Sequence, residues 1–185
     1  MRYSDQYDCF ADKNDNCKGH GHARIVLSYN IKDIWSMLLS YEKHPTWNTN
    51  IKHVEIYRRL SHSNHVEEVC VKFKFAIGPF FDTTLNMVHI VNKKLNRIEW
   101  HIDKSLPSHW LIKENQGSWE LTPIDVNITL CTYNATVTTY FPVLYPIRIW
   151  VVRNGIQRAT QWIKVALSNH TPVKKSQWLC CFPTS

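Results

Sequence analysis

Apolar positions recur every second residue through the middle of this chain and every third or fourth residue near its C-terminal end. The stretch from Pro146 to Ser168, PIRIWVVRNGIQRATQWIKVALS, is long enough for about six helical turns. An advance of about 100° per residue puts Val152, Ile156, Ala159 and Ile163 in one row. Ile149 and Leu167 flank that row on one side, with Val151, Trp162 and Ala166 on the other. The opposite face carries Arg153, Asn154, Gln157, Arg158, Thr160, Gln161 and Lys164, and only Arg148 and Trp150 depart from the pattern. Pro146 suits the first helical position, where its missing N–H costs nothing. Asn169 followed by Pro172 marks the stop.

The preceding pattern is that of strands. His22 to Tyr29 is short and β-prone, and Asn30 then reads as the N-cap of a helix with Asp33 as its acidic partner. Ile31, Ile34, Trp35 and Leu38 share one face of that helix, and Pro45 is expected to end it near His44. Asn50 to Leu60 alternates imperfectly. His65 to Ile77 alternates cleanly, with Val69, Val71, Phe73 and Phe75 against Cys70, Lys72 and Lys74, as in a strand with one wet face. After Gly78-Pro79, Phe80 to Asn92 resumes, with His89 on the side of Leu85 and Met87. Arg97 to Asp103 puts Ile98 and Trp100 together, with His101 opposite. Trp110 to Lys113 opens a strand; Gly117 to Thr122 forms one that Pro123 ends. Val126 to Phe141 is long and β-branched, with Cys131, Tyr133, Ala135 and Val137 on one side. Strands segregated from helices predict an α+β domain, one curved antiparallel sheet of about six or seven strands wrapped around the long C-terminal helix. The expected organisation is a flexible N-terminal arm over 1–19, one domain over 20–168, and a flexible basic and aromatic tail over 169–185.

Composition sharpens this picture at three points. Among 185 residues there are eight Trp, eight Tyr and seven Phe, enough for a large core or an aromatic cavity lining. Only five Gly are present and no phosphate-binding fingerprint occurs, which argues against nucleotide chemistry. The net charge is +7, and no acidic residue follows Asp125, while Arg148, Arg153, Arg158, Lys164, Lys174 and Lys175 do. This asymmetry suits either a solvated helix face or an anionic partner, with a membrane surface ahead of nucleic acid because no basic–aromatic module signature is present. No run approaches the ~20 apolar residues of a membrane span. The N-terminus lacks the apolar core of a secretory signal, so the expected setting is cytoplasmic, with the six Cys as reduced thiols.

Candidate chemistry is sparse. Cys9, Cys17, His20 and His22 are ligand types for zinc, but their spacing is not that of known fingers, and a thiol-bearing leader is the preferred reading. His89, on the inward side of its strand, is the one candidate general base, against the commoner role of a hydrogen-bonded histidine. Cys70 and Cys131 read as small buried hydrophobes, and no nucleophile elbow occurs. Lys174-Lys175 with Trp178, Leu179, Cys180, Cys181 and Phe182 joins basic charge to interfacial aromatics, which suits contact with an anionic membrane or palmitoylation, against the plainer reading of a disordered end.

The chain resembles the START, polyketide-cyclase and pollen-allergen superfamily, nearest its polyketide cyclase and coenzyme Q-binding branch. The resemblance rests on IWSMLLSYEKHPTW, with Trp35, Tyr41, Pro45 and Trp47, on Gly117, Trp119, Leu121 and Pro123, and on a strand from Thr129 to Pro142 leading into the last helix. It covers roughly residues 20–168 and departs at Ser40, where relatives often carry Asp. It implies a helix-grip fold and a hydrophobic cavity under the long helix for a lipid, isoprenoid, quinone or polyketide, with no required cofactor and no single reaction.

The leading expectation is therefore a carrier, chaperone or sensor of an apolar small molecule. Strand parity and helix phase assign the lining to Phe73, Phe75, Trp100, Trp119, Tyr133, Val152, Ile156, Ala159 and Ile163. The rival is an enzyme of the cyclase or dehydratase sort, which would need at least two polar side chains converging inside the cavity. A third reading is a lipid-dependent adaptor that docks on a membrane through its tail.

Overall fold

The computed structural model describes residues 5–12, 15–77, 81–107 and 109–169. The expected turn at Gly78-Pro79 and the tail beyond Asn169 lie outside them. Eight strands form one antiparallel sheet: β1 (Gln6–Ala11), β2 (Lys18–Leu27), β3 (Ile51–Ser61), β4 (Val66–Ile77), β5 (Phe81–Asn92), β6 (Arg97–Ile102), β7 (Ile112–Asp125) and β8 (Ile128–Thr139). Two short helices, α1 (Ile31–Leu38) and α2 (His44–Trp47), follow β2, and a long one, α3 (Tyr145–Asn169), follows β8. The strand order is β1-β2-β8-β7-β6-β5-β4-β3. After β2 the chain crosses to the far edge through α1 and α2, then returns strand by strand until β8 pairs with β2. This is the α+β helix-grip arrangement, with eight strands where six or seven were expected.

The additional strand comes from the stretch expected to be a flexible arm. Gln6–Ala11 pairs with Gly19–Arg24, and its Tyr7 packs against the core. A strand at a sheet edge needs only one apolar row, so the polar sequence QYDCFA concealed it. The opposite edge, β3, is charged and bears the cross-strand ion pairs Arg58–Glu68 (3.1 Å) and Arg59–Glu67 (2.8 Å). Charge along an exposed edge discourages pairing with another chain.

Two boundaries differ from the periodicity. Pro45 does not end a helix. It sits in the first turn of α2, after α1 has already closed at Leu38 and a single 3-10 turn over Tyr41–Lys43 has intervened. A proline in a first turn loses no hydrogen bond. Likewise Pro123 does not end its strand: β7 runs unbroken from Ile112 to Asp125 and passes the proline at a register shift. Bulges take up such a missing donor. The Asn30 cap forms as expected, its Oδ1 accepting the Asp33 N–H at 3.0 Å.

The sheet's inner face is small where α3 crosses it and large elsewhere. Gly19, Gly21, Ala23, Ile25 and Leu27 are the inward residues of β2, and all are buried. A Cβ on Gly21 would overlap Ile156, and one on Gly19 would overlap Val152. The backbone of β2 is therefore the seat of the first half of α3. One inward rung runs through Val69, His89, Trp100, Gly117, Ala135, Gly21 and Cys9 across seven strands. Gly117 is small for the same reason: a Cβ there would overlap the Trp100 ring and the Asn134 carbonyl.

Arg148, which broke the helical pattern, is buried at the start of α3. Its Nη1 donates to the Asp15 carbonyl in the β1–β2 turn, and its guanidinium lies 5.7 Å from the Tyr145 ring centroid. Thr160, assigned by phase to the wet face, is also fully buried, with its hydroxyl donating to the Ile156 carbonyl at 2.9 Å. A hydroxyl that bonds back to its own helix can enter a core without an unsatisfied donor.

Gly117→Ala is expected to lower unfolding stability by about 1–3 kcal/mol through overpacking. Gly155→Ala, at a helical glycine with no neighbour within 4 Å of an added Cβ, should raise it by up to about 1 kcal/mol. Urea titration followed by tryptophan fluorescence distinguishes the two.

Candidate functional site

A pocket of ≈ 170 Å³ lies between α3 and the concave face of the sheet. Its walls come from β3 (Ile51), β4 (Phe73, Phe75), β5 (Leu85, Met87, His89), β6 (Trp100), β7 (Asn115, Trp119), β8 (Tyr133), the α2 corner (His44, Asn48) and α3 (Ala159, Trp162). The aromatic rings brace one another. Trp100 stacks on Tyr133 at 5.3 Å, Phe73 on Phe75 at 5.6 Å, and Trp162 on Trp47 at 6.1 Å.

Of the nine residues assigned to the lining, Phe73, Phe75, Trp100, Trp119, Tyr133 and Ala159 are brought together. Val152, Ile156 and Ile163 are not. Val152 and Ile156 are taken up by the glycine seat on β2, and Ile163 is fully buried in the core. Because α3 leans on β2, the pocket meets the helix about one residue round from the predicted row, at Ala159 and Trp162. Ile156 is thus a packing residue, and substituting it would disturb the docking of the helix rather than the pocket alone.

The sequence reading missed the polar lining. His44 and Asn48 lie in the irregular corner around α2, where no periodicity reports an inward side, and Asn115 sits among polar residues at the start of β7. The signal that was available for His44 was its place beside Trp47 in the aromatic corner. His44 Nε2 donates to the Leu38 carbonyl at 3.2 Å. His89 Nδ1 lies 3.1 Å from the Tyr41 hydroxyl, and Asn115 Oδ1 accepts from Trp100 Nε1 at 3.3 Å. His89 Nε2 has no hydrogen-bond partner among the described residues, so it presents one unused polar atom to an aromatic pocket.

Burial governs the charge state of these groups. Loss of water pushes His44 down to about 4, against the hydrogen bonds of Leu38 and Met37 that favour its proton. It pushes His89 down to about 3, helped by the neighbouring His44 and His101. Burial raises the hydroxyls of Tyr41 and Tyr133, so both stay protonated. The pocket is therefore uncharged at neutral pH. An imidazole at about 3 is a weak base, ill matched to proton abstraction near pH 7. The Cys131 thiol, pushed up to about 12 by burial, is no nucleophile.

The Cys/His group of the N-terminal region does not converge. Cys9 lies opposite Gly21 on the inner face, whereas His20 and His22 alternate to the outer face. There His20 Nδ1 meets Thr136 Oγ1 at 2.9 Å and His22 Nδ1 meets Asn134 Oδ1 at 2.7 Å. Among the described residues no three His, Cys, Asp or Glu side chains are placed to hold a metal ion.

The sheet itself is incomplete beside the pocket. Pairing between β6 and β7 runs from Arg97↔Glu120 to Trp100↔Gly117, and the first residues of β7 extend beyond it. A second hollow of ≈ 170 Å³ opens at this seam, lined by His101, Ile102, Lys104, Lys113, Glu114 and Gln116. Asn115 borders both hollows, so the Trp100–Asn115 hydrogen bond lies in the wall between them.

Neutral burial of two histidines has a measurable sign. Unfolded, both would take protons at about pH 6.5; folded, they resist until about pH 4 and 3. Between these limits the unfolded chain binds more protons, so stability is full above about 6.5 and declines as the pH falls. Each histidine is expected to contribute a loss of up to about 1.4 kcal/mol per pH unit. Urea midpoints measured from neutral to acid pH should show this decline, and His89→Gln or His44→Gln should flatten it.

No protein-family model matches this chain, and no curated protein sequence matches it. Solved structures do. A START superfamily protein from Mycobacterium smegmatis is 15% identical, with a TM-score of 0.65 over 82% of this chain and 99% of that one. The Zhui aromatase/cyclase from a Streptomyces species is 11% identical, with a TM-score of 0.65 over 82% and 93%. A STAR-related lipid transfer protein from Xanthomonas axonopodis is 12% identical, with a TM-score of 0.68 over 91% and 94%. With so little identity these likenesses speak for architecture, and on that ground the chain has the START-type helix-grip fold.

Proposed function

We propose that this protein binds a small apolar molecule in the pocket between α3 and the sheet and acts as its carrier, chaperone or sensor. The observation that carries this reading is the pocket wall: largely aromatic, uncharged at neutral pH, and provided with unpartnered polar atoms such as His89 Nε2. The names of two of the structures above, a lipid transfer protein and an aromatase/cyclase, support a hydrophobic occupant at this level of detail.

Size and shape narrow the occupant. A cavity of roughly 150 Å³ accepts benzene, and drug-sized ligands occupy roughly 300–1,000 Å³. At ≈ 170 Å³ the pocket accepts one flat group of one or two fused rings, and anything longer must extend through its open mouth or part α3 from the sheet. Stacked indole and phenyl walls suit a ring better than a flexible acyl chain, which would lose more rotational freedom on binding. The ligand class that fits is therefore a ring bearing a hydroxyl or carbonyl, such as a phenol, quinone or aromatic polyketide, with its polar atom at His89 Nε2 or the Asn115 amide. This reading requires no cofactor.

One observation favours a second reading. His44, Asn48, His89 and Asn115 are polar side chains within one pocket, as a cyclase or dehydratase would need. Against proton abstraction stands the low basicity of both imidazoles, so polarisation of a carbonyl by hydrogen bonding is the chemistry left to such an enzyme.

Native mass spectrometry of the purified protein should reveal the co-purifying molecule. With a naphthol-type probe, Ala159→Phe should abolish binding by filling the pocket. His89→Phe should weaken it about tenfold, the worth of one hydrogen bond, while leaving an unsubstituted aromatic hydrocarbon unaffected. Equal binding of the naphthol by wild type and Ala159→Phe would remove the pocket from consideration. Turnover of a poly-β-keto probe that is lost in His89→Phe would favour the enzymatic reading.

A further inference from the structure

The end of the molecule where α3 begins is unusually apolar on its outside. Trp110 and Leu144 are each 72% exposed, and Tyr140, Phe141, Tyr145 and Ile147 stand about half exposed beside them. The backbone draws them into one surface. The Tyr140 N–H donates to the Leu111 carbonyl at 3.0 Å, and the Val143 N–H donates to the Asn16 carbonyl at 3.0 Å, tying the β8–α3 connection to the β6–β7 loop and the β1–β2 turn. Trp110 is held in place from behind. His109 Nδ1 accepts the Leu111 N–H at 3.1 Å and the Ile112 N–H at 2.9 Å, which leaves its Nε2–H to reach the hydroxyl of buried Thr83.

Basic and acidic side chains both lie around this surface, and three of the lysines are unpaired. Lys18, Lys104 and Lys113 lie at the same pole and make no ion pair among the described residues. The nearby carboxylates keep their charge and are held in place, one by an ion pair and the others by hydrogen bonds. Asp82 pairs with Lys74 at 3.0 Å, Asp103 accepts from Tyr57 at 2.7 Å and from Ser105, and Asp15 accepts the Cys17 N–H at 2.8 Å. Glu114 takes the Thr138 hydroxyl at 3.3 Å. Apolar side chains mixed with Trp and Tyr and rimmed by lysines match the layered chemistry of a bilayer surface, where hydrocarbon, aromatic belt and anionic headgroup follow within a few ångströms.

We propose that the pole formed by Trp110, Tyr140, Phe141, Leu144, Tyr145 and Ile147 docks on an anionic lipid bilayer, with Lys18, Lys104 and Lys113 facing the headgroups. No helix among the described residues is long and apolar enough to cross a membrane, so the contact is peripheral. Phe75 and Asn115, two lining residues of the pocket, lie near strand ends at the same pole, which sets the docked face beside one end of the cavity. The docking surface stands independently of whether the pocket is filled.

Co-sedimentation of the full chain with vesicles of phosphatidylcholine, alone or mixed with phosphatidylserine, tests this. The wild type should bind the mixed vesicles more tightly, and added salt should weaken that binding. The pair Leu144→Glu with Ile147→Glu should reduce it at least tenfold, and Lys104→Gln with Lys113→Gln should reduce it about fivefold per lysine and flatten the salt dependence. Should the glutamate pair fail to fold by circular dichroism, Trp110→Ser and the lysine pair, all at exposed side chains, decide the matter. Uptake of the naphthol probe in solution should persist in every folded variant; its loss would count against the pocket reading and not against the docking surface. Three results would overturn the proposal: no vesicle binding by the wild type, undiminished binding by the variants, which would transfer it to the Lys174-Lys175 segment, or a stable dimer that Leu144→Glu dissociates, which would make this surface a self-association face.

Discussion

The close approach of α3 to β2 is the contact on which the pocket depends. A layer packed on a sheet normally stands off from its backbone, about 10 Å for a second sheet, because side chains fill the space between them. At Gly19 and Gly21 there are none, so Val152 and Ile156 reach the strand backbone itself. The helix is thereby drawn down at one side of the concave face. The remaining strands curve away from it, and the opening between is bordered by large rings rather than closed by small ones. The same logic operates within the sheet at Gly117, whose missing side chain lets Trp100 lie across the neighbouring strand and form the floor of the pocket.

Electrostatics follow from that geometry rather than from the choice of residue types. Two histidines in an open cleft would titrate near neutrality. Here the rings of Tyr41, Phe73, Trp100 and Trp162 exclude water from them, and His44 and His101 further disfavour the proton of His89. The resulting lining is polar enough to orient a hydroxyl or carbonyl and carries no charge that an apolar ligand would have to desolvate. The outer surface reverses this balance. At the α3 pole the apolar groups face outward, so the molecule has apolar surface in two places, one inside and one outside.

The resemblance-bearing residues have structural duties that account for their types. Trp35 Nε1 donates to Asn96 Oδ1 at 3.2 Å, and Asn96 occupies the left-handed region at φ 50, which asparagine tolerates better than most residues. Trp47 stacks on Trp162 and so joins the α2 corner to the end of the long helix. Tyr41 is buried beneath that corner with its hydroxyl toward His89. These contacts frame the pocket, and of the same segments His44 and Trp119 line it.

What the sequence determined by itself was the set of elements and the inward row of each central strand. Strict alternation in Val69-to-Phe75 and in Ile98-Trp100 can be satisfied in only one way when one face is wet, so the inward placing of Phe73, Phe75 and Trp100 was legible without coordinates. What only the tertiary structure decided was the rotation of α3, the strand at Gln6–Ala11 and the polar part of the lining. A wide apolar arc fits a sheet at several rotations, and the glycines of β2 select one of them, turning Ile156 to the strand and Trp162 to the pocket. An edge strand carries half a pattern, and His44, Asn48 and Asn115 lie where no period reports direction, so their convergence depends on contacts between segments far apart in the chain.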